Sequence, residues 1–301
     1  MVKGARIVAR QRLAVRGYLL HLTHYDPMWF QRKARERRFD LDTALKVVDA
    51  LAEEKFNLLV IDCADGVKYR SHPELAKRYS APMGDLAKLA AAAHAAGLDV
   101  APKLNFSQSH LHHHNDWMLP PKEAWHHHFD DEAYWKRAFE VIDELIGVCE
   151  PKRYFHVGMD EDHDRSYTQY AEAIKTLRAG LRKRKMKTLI WNDTGIEYAS
   201  GLVHAERSLV AETAIPKDIV QVIWRYDAVP AAAIRRLARE GFEVWGAPGR
   251  RPEMAAEFRE AVLKAGGKGL LMTTWGPVRK STRKRLVEGV RMMGQVYRGD
   301  G

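Results

Sequence analysis

Eight short apolar or β-branched runs alternate with stretches of helical periodicity along the whole chain. They are 17–23 (GYLLHLT), 57–63 (NLLVIDC), 99–106 (DVAPKLNF), 154–159 (YFHVGM), 188–192 (TLIWN), 219–224 (IVQVIW), 242–245 (FEVW) and 269–275 (GLLMTTW). Between them apolar residues recur every three or four positions, the period of a helix with one buried face. Examples are Ala44, Leu45, Val48 and Leu51, then Trp135, Phe139, Ile142 and Ile146, and finally Leu286, Val290, Met293 and Tyr297. Asp or Ser precedes these stretches, Gly follows them, and Pro230 and Pro252 open two of them, as helix caps and first turns require. Near-continuous apolar runs mark strands buried on both faces, hence a parallel sheet. No GxGxxG follows the first run and no GxxxxGK[ST] occurs anywhere, so the phosphate-cradling turns of nucleotide-binding doubly wound folds are missing. Eight strand–helix units in 301 residues predict an α/β fold, a single (β/α)₈ TIM barrel spanning 1–301 as one domain.

Composition agrees and removes other classes. Apolar residues are 46% and charged residues 29%, enough for a full core and too apolar for disorder. The net charge of +10 raises a nucleic-acid reading. However, the basic residues fall in separate clusters: Arg32 to Arg38, Arg182 to Lys187, and Arg279 to Arg285. None has interleaved aromatics or a known nucleic-acid-binding pattern. Solvated faces are expected, with no nucleic-acid partner; an anionic saccharide would also profit from this charge. No apolar run approaches the ~18–20 residues that span a bilayer, so no membrane partner is expected. Residues 1–16 lack the apolar core of a secretory signal, which makes cytoplasm the expected location. Cys63 and Cys149 show no CxxC spacing, so neither a disulfide framework nor a thiolate metal site is expected, and no cofactor.

In such a barrel the chemistry gathers where strands end. Polar and aromatic residues do accumulate there: His21, Asp62 and Asp65, Asn105, Gln108 and His110, Asp160 to His163, Asn192 and Asp193, and Arg225 to Asp227. Trp191, Trp224, Trp245 and Trp275 close four runs, which fits an aromatic-walled pocket that stacks on sugar faces; interior filling is the alternative. Asp160, Glu161 and Asp162 follow a buried strand directly, while Asp164 or Ser166 suffices to cap the next helix. Two adjacent carboxylates in one site repel, so one should hold its proton near neutrality and act as an acid.

The segment Phe155-His156-Val157-Gly158-Met159-Asp160-Glu161 resembles the F-H-[IV]-G-x-D-E signature of family 20 glycoside hydrolases, the β-N-acetylhexosaminidases. Arg16-Gly17, Lys55 to Leu59 and Ala96 to Pro102 resemble further stretches of that family in the same order, in its compact, barrel-only form. The resemblance implies substrate-assisted retention. The substrate's 2-acetamido oxygen attacks the anomeric carbon, Asp160 orients and polarises the acetamido group, and Glu161 protonates the leaving oxygen and later activates water. It also implies that Arg16 grips sugar hydroxyls. Asn105, His110, His156, Trp191, Trp224, Tyr226, Trp245 and Trp275 are expected to complete the substrate site, with His156 supporting the acidic pair or simply filling the core. The family's pattern is not kept everywhere. His21 stands where an Asp is usual, Lys103 and Asn105 where Glu and Asp are usual, and Trp275-Gly276-Pro277 lacks the acid of a Trp-x-Glu ending. These positions select among sugars.

A rival signal is histidine. His110 and His112 to His114 follow the third run, and His126 to His128 precede the next helix. Neutral imidazoles are metal ligands, so a metal-dependent hydrolase built on His110–His114 stays open beside a solvated loop and a saccharide groove. No HExxH occurs, and three adjacent histidines cannot all face one ion, so no metal is expected. A non-catalytic carbohydrate-binding barrel is the remaining alternative. The expected partner is a small saccharide or glycoconjugate.

Overall fold

Every one of the eight runs forms a strand. The computed structural model describes residues 12–23, 36–108, 130–195 and 203–299. The strands are β1 (Val15–His21), β2 (Leu58–Asp62), β3 (Asp99–Lys103), β4 (Tyr154–His156), β5 (Lys187–Asn192), β6 (Val220–Trp224), β7 (Glu243–Gly249) and β8 (Gly269–Pro277). Each pairs in parallel with the next, and β8 returns to β1, closing the barrel. Among the described residues each strand precedes one α-helix. They are α1 (Leu41–Glu53), α2 (Met83–Ala95), α3 (Glu132–Cys149), α4 (Tyr167–Lys183), α5 (Val203–Glu212), α6 (Ala231–Arg239), α7 (Pro252–Lys264) and α8 (Arg283–Arg298).

The alternation of side chains along a strand separates two cores. Leu19, Val60, Ala101, Leu189, Val222 and Leu271 fill the barrel, whereas Leu20, Ile61, Val100, Ile190 and Ile223 pack outward against the helices. Each fully buried aliphatic side chain contributes about 1.5–3 kcal/mol. Helix starts are fixed by short polar side chains. Asp40 accepts the Thr43 N–H at 2.9 Å, Asp131 accepts that of Tyr134 at 2.6 Å, and Ser166 with Gln169 forms a reciprocal capping box on α4. Ser166 thus caps α4, and Asp160 and Glu161 are not consumed as caps.

Two strand lengths differ from the sequence expectation, and both differences matter. β4 stops at His156 rather than Met159, because the chain turns into the left-handed region at Gly158 (φ +71°), Met159 (φ +75°) and Glu161 (φ +51°). Only glycine suits position 158, where a Cβ would drive into Asn105. β7 runs on to Gly249, which leaves Trp245 near the strand's beginning, paired in register with Gly269 at the start of β8. Near the opposite end, His21, Asp62, Lys103 and His156 stand in register across β1 to β4, a polar row under the C-terminal mouth.

Candidate active site

The turn after β4 is pinned at every peptide. The Gly158 N–H donates to His156 Nδ1 at 3.0 Å, and the Gly158 carbonyl accepts from Trp191 N at 2.9 Å. The Met159 N–H donates to Asn105 Oδ1 at 3.1 Å, and its carbonyl accepts the Tyr170 hydroxyl at 2.6 Å. The Glu161 N–H donates to Asp193 Oδ2 at 2.9 Å. Backbone in this region costs a non-glycine residue on the order of 1 kcal/mol or more, and these partners hold it there. The result is that two consecutive carboxylates, Asp160 and Glu161, are presented at one mouth of the barrel.

Their surroundings set them apart. Asp160 is 7% exposed and accepts the Asn105 amide at Oδ1, 2.8 Å. Burial pushes its carboxyl above the usual range, against the pull of Lys103 and of Asn105. Burial, reinforced by the neighbouring Asp160 charge, raises Glu161 to about 7. Asp193 directly follows β5, at the start of a single 3₁₀ turn, and continues the alternation of Leu189 and Trp191. Burial and Asp160 push it upward, while N–H donors from Glu161 and from Trp224 Nε1 (2.8 Å to Oδ1) occupy both its oxygens and pull the other way. A buried acid with its proton near neutrality beside a second carboxyl is the equipment of general acid–base catalysis.

Aromatic rings line the mouth beside the pair. Trp191 lies buried with its ring 4.5 Å from that of His156 and 6.1 Å from that of Trp275. Trp275, itself left-handed at φ +47°, stacks on His21 at 4.7 Å and donates Nε1–H to the Tyr226 hydroxyl at 2.7 Å. Tyr226 packs 5.5 Å from Trp224, and burial raises its phenol far enough to keep it protonated. Glu161, Trp224, Tyr226 and Trp275 are half-buried.

Of the expected residues, Asp160, Glu161, Asn105, His156, Trp191, Trp224, Tyr226 and Trp275 therefore come together. His156 lies under the turn it supports; burial and nearby Lys103 hold its imidazole well below the ordinary value, so it is neutral, with Nδ1 the acceptor and Nε2 carrying the proton.

Two residues do not join them. Arg16 begins β1 at the opposite mouth and has the outward parity of Tyr18 and Leu20. It donates Nε to the Lys55 carbonyl at 2.7 Å and Nη1 to that of Leu13 at 2.9 Å. The expected sugar-gripping arginine is thus a clamp on the turn after α1. Trp245 is completely buried in the lower barrel, edge-on to Tyr154 at 5.1 Å, with Nε1–H donated to Glu243 at 3.0 Å, so it is interior filling. His110, the remaining His-rich positions and the first basic cluster through Arg35 lie outside the described residues. Among the described residues no group of three or more His, Cys, Asp or Glu side chains is arranged to hold a metal ion.

Asp162, the third acid, serves structure. It accepts the Gln108 N–H at 2.9 Å and the Arg165 guanidinium at 2.7 Å, tying the loops after β3 and β4 together. Asn192 likewise points outward, to Glu212 and Gln221. Asp193 and Asp62 stood among the strand-end polar residues, and Lys103 among the departures from the family pattern, but nothing in the sequence assigned any of them a place in the site. Each carries or continues the inward parity of its strand, and a charged residue at such a position was the available signal.

No family model matches the sequence, and no curated protein sequence does. Solved structures do match in fold. The chitobiase of Flavobacterium johnsoniae superposes with a TM-score of 0.69 at 15% identity, over 95% of this chain and 48% of that one. A family 20 exo-β-N-acetylglucosaminidase from Vibrio harveyi, solved in complex with N-acetylglucosamine, gives 0.62 at 15% identity over 95% and 54%. Dispersin B gives 0.62 at 15% identity over 96% of this chain and all of that one. The chain spans about half the length of the first two and corresponds to the whole of the third. At this level of identity the likeness is one of fold: the protein is a (β/α)₈ barrel of the kind found in family 20 hexosaminidases.

Proposed function

We propose that the protein is a glycoside hydrolase that removes a terminal β-linked N-acetylhexosamine with retention, the acetamido group of the substrate serving as nucleophile. The observation that carries this reading is the pinned pair at the barrel mouth. Asp160, oriented by Asn105, is adjacent in sequence to Glu161, whose carboxyl is raised to about 7. Paired-carboxylate glycosidases set their two groups across the scissile bond, ~5 Å or more apart on opposite faces of the sugar. Consecutive residues on one turn suit another division of labour. Asp160 reaches the 2-acetamido nitrogen and stabilises the charge developing there, while Glu161 reaches the glycosidic oxygen and protonates it. Trp224, Tyr226 and Trp275 provide the stacking wall, with Trp191 packed behind it. The fold shared with hexosaminidases supports the same reading.

The test is a matched series of aryl β-glycosides. Turnover of 2-acetamido sugars, near-inertness on the 2-hydroxy counterparts, and inhibition by a thiazoline mimic far tighter than by N-acetylglucosamine are expected, because such a site favours the bicyclic, transition-state-like geometry. Efficient hydrolysis of plain glucosides or galactosides without thiazoline inhibition overturns the mechanism.

A further inference from the structure

The polar row beneath the pair contains a cation that the reaction as described does not use. Lys103 is 1% exposed, inside the barrel, with Nζ 2.9 Å from Asp62 Oδ2; His21 Nδ1 meets the same oxygen at 3.0 Å. Burial opposes ionisation of Asp62, but the Lys103 ammonium and then His21 outweigh it and hold the carboxyl well below the usual range. An ion pair of this kind would satisfy itself anywhere in a core. Its position is what matters. Lys103 is two residues before Asn105, and on an extended strand residues two apart share a face about 7 Å apart. Asn105 is the residue that holds Asp160. Backbone contact with the segment after β4 continues beyond the ends of both strands, Leu104 N donating to the His156 carbonyl at 3.0 Å and Phe106 N to that of Val157 at 3.1 Å, so the register slips by one residue here. The ammonium is thus buried inside the barrel, on the row in register with His156 and two residues before the side chain that holds Asp160, in a region with little water to screen it.

We propose that Lys103 is a positioning residue for the proton of the pair: its buried positive charge keeps Asp160 ionised, and the single proton shared by the two carboxyls rests on Glu161. This deepens the functional reading above and rests on it for the roles of the two acids. The groups facing Asp160 support the assignment. From β2 comes Asp62, from β4 His156, from just after β5 Asp193, from the loop after β6 Tyr226, from α4 Tyr170, and Glu161 is adjacent. Asp62, Asp193 and Glu161 are acids, His156 is neutral, and Tyr170 and Tyr226 keep their protons. Among the described residues Lys103 is the cation acting on Asp160, and its pull exceeds the opposing push of Asp62. Without it, three clustered carboxyls would compete for protons, with the hydrogen bonds to Asp160, that from Asn105 among them, left to favour its ionised form.

Lys103→Met alone strands a buried Asp62 charge, so the deciding variant is the charge-neutral double substitution Asp62→Asn/Lys103→Met, in which the introduced amide oxygen still accepts from His21. The carboxyl carbons of Asp160 and Glu161 are titrated by NMR with selectively ¹³C-labelled Asp and Glu, the signals being assigned with Asp160→Asn and Glu161→Gln. The interval separating the two titrations is expected to shrink by roughly one pH unit in the double variant, Asp160 moving upward. If Lys103 serves only to neutralise Asp62, the double variant restores balance and both groups titrate as in the parent protein; that result overturns the proposal. The acid limb of the pH–rate profile is expected to move upward by the same interval. Should no glycoside be turned over, the functional reading fails on its own, while the carboxyl titration still decides where Lys103 places the proton.

Discussion

Asp193 Oδ2 accepts the backbone N–H of Glu161 at 2.9 Å, and its other oxygen accepts the indole N–H of Trp224 at 2.8 Å. One carboxyl group just after β5 thus holds both the backbone of Glu161, the proposed acid, and the ring of Trp224.

That arrangement makes Asp193 sensitive to substitution. Asparagine supplies one acceptor oxygen where two are needed, and its amide hydrogens face an N–H donor. The left-handed backbone at Glu161 then loses its restraint, and the acid moves by a fraction of an ångström or more. Displacements of about 1 Å cost on the order of 10²-fold. Asp193→Asn is expected to lower kcat by 10- to 100-fold, roughly, with KM changed little. Steady-state kinetics beside a thermal unfolding curve check this; kcat within about threefold of the parent value, with the fold intact, would remove Asp193 from the machinery.

Glu161 should also leave a mark on stability. Its carboxyl titrates near 7 in the folded protein against an ordinary value of 4.5. The folded state therefore binds the proton more tightly than the unfolded state. This contribution is fully present below pH 4.5 and is lost as pH rises through about 7. The shift corresponds to about 3 kcal/mol at most. Glu161→Gln, which cannot ionise, is expected to gain stability over the parent at pH 8 and to match it near pH 4, read from urea unfolding at both pH values. Equal stability differences at the two pH values contradict a raised Glu161.

Arg16 gives the opposite expectation. Its hydrogen bonds reach Lys55 and Leu13 at the far mouth. Lys55 is itself left-handed at φ +60°, so the guanidinium clamps a turn that needs holding. Arg16→Ala should leave kcat and KM unchanged and cost about 1–2 kcal/mol of stability, the usual value of such bonds. A raised KM with unaltered stability would return Arg16 to the substrate site.

These residues show what sequence can and cannot carry. Strand number, closure and the acidic pair were legible because continuous apolar runs and the placement of Asp160 and Glu161 are local properties. Trp245 misled because its strand was read as ending with it; the next residues, Gly246 to Gly249, look like a loop but continue β7. A tryptophan's depth in a barrel depends on where the strand stops, which glycines obscure. Arg16 misled through resemblance, although parity was available: it alternates out of phase with Val15 and Leu19, which face the interior. Lys103 and Asp62 were readable only as a pair, and their pairing needs the register between β2 and β3, a nonlocal fact. The turn at Gly158 is of the same kind, since its shape is dictated by Asn105, which lies 53 positions earlier in the chain.

The acid itself offers the sharpest kinetic test. If Glu161 donates a proton to the leaving oxygen, its removal matters in proportion to how poor the leaving group is. With an alkyl or sugar aglycone, departure without protonation is prohibitive, and Glu161→Gln is expected to lose about 10²–10⁴-fold or more in kcat/KM. A dinitrophenyl glycoside leaves as a stable anion, so its formation of the bicyclic intermediate should be slowed far less, and a burst of phenolate should precede slow turnover because the same carboxylate later activates water. The parent enzyme should decline above pH 7 as Glu161 ionises, about where its carboxyl titrates. In the glutamine variant, that decline should vanish for the burst step, since no proton remains to be lost. An equal loss on both leaving groups, or an alkaline limb that survives the substitution, would assign the proton to another group, and Asp193, held against the same backbone, is the carboxyl next in place.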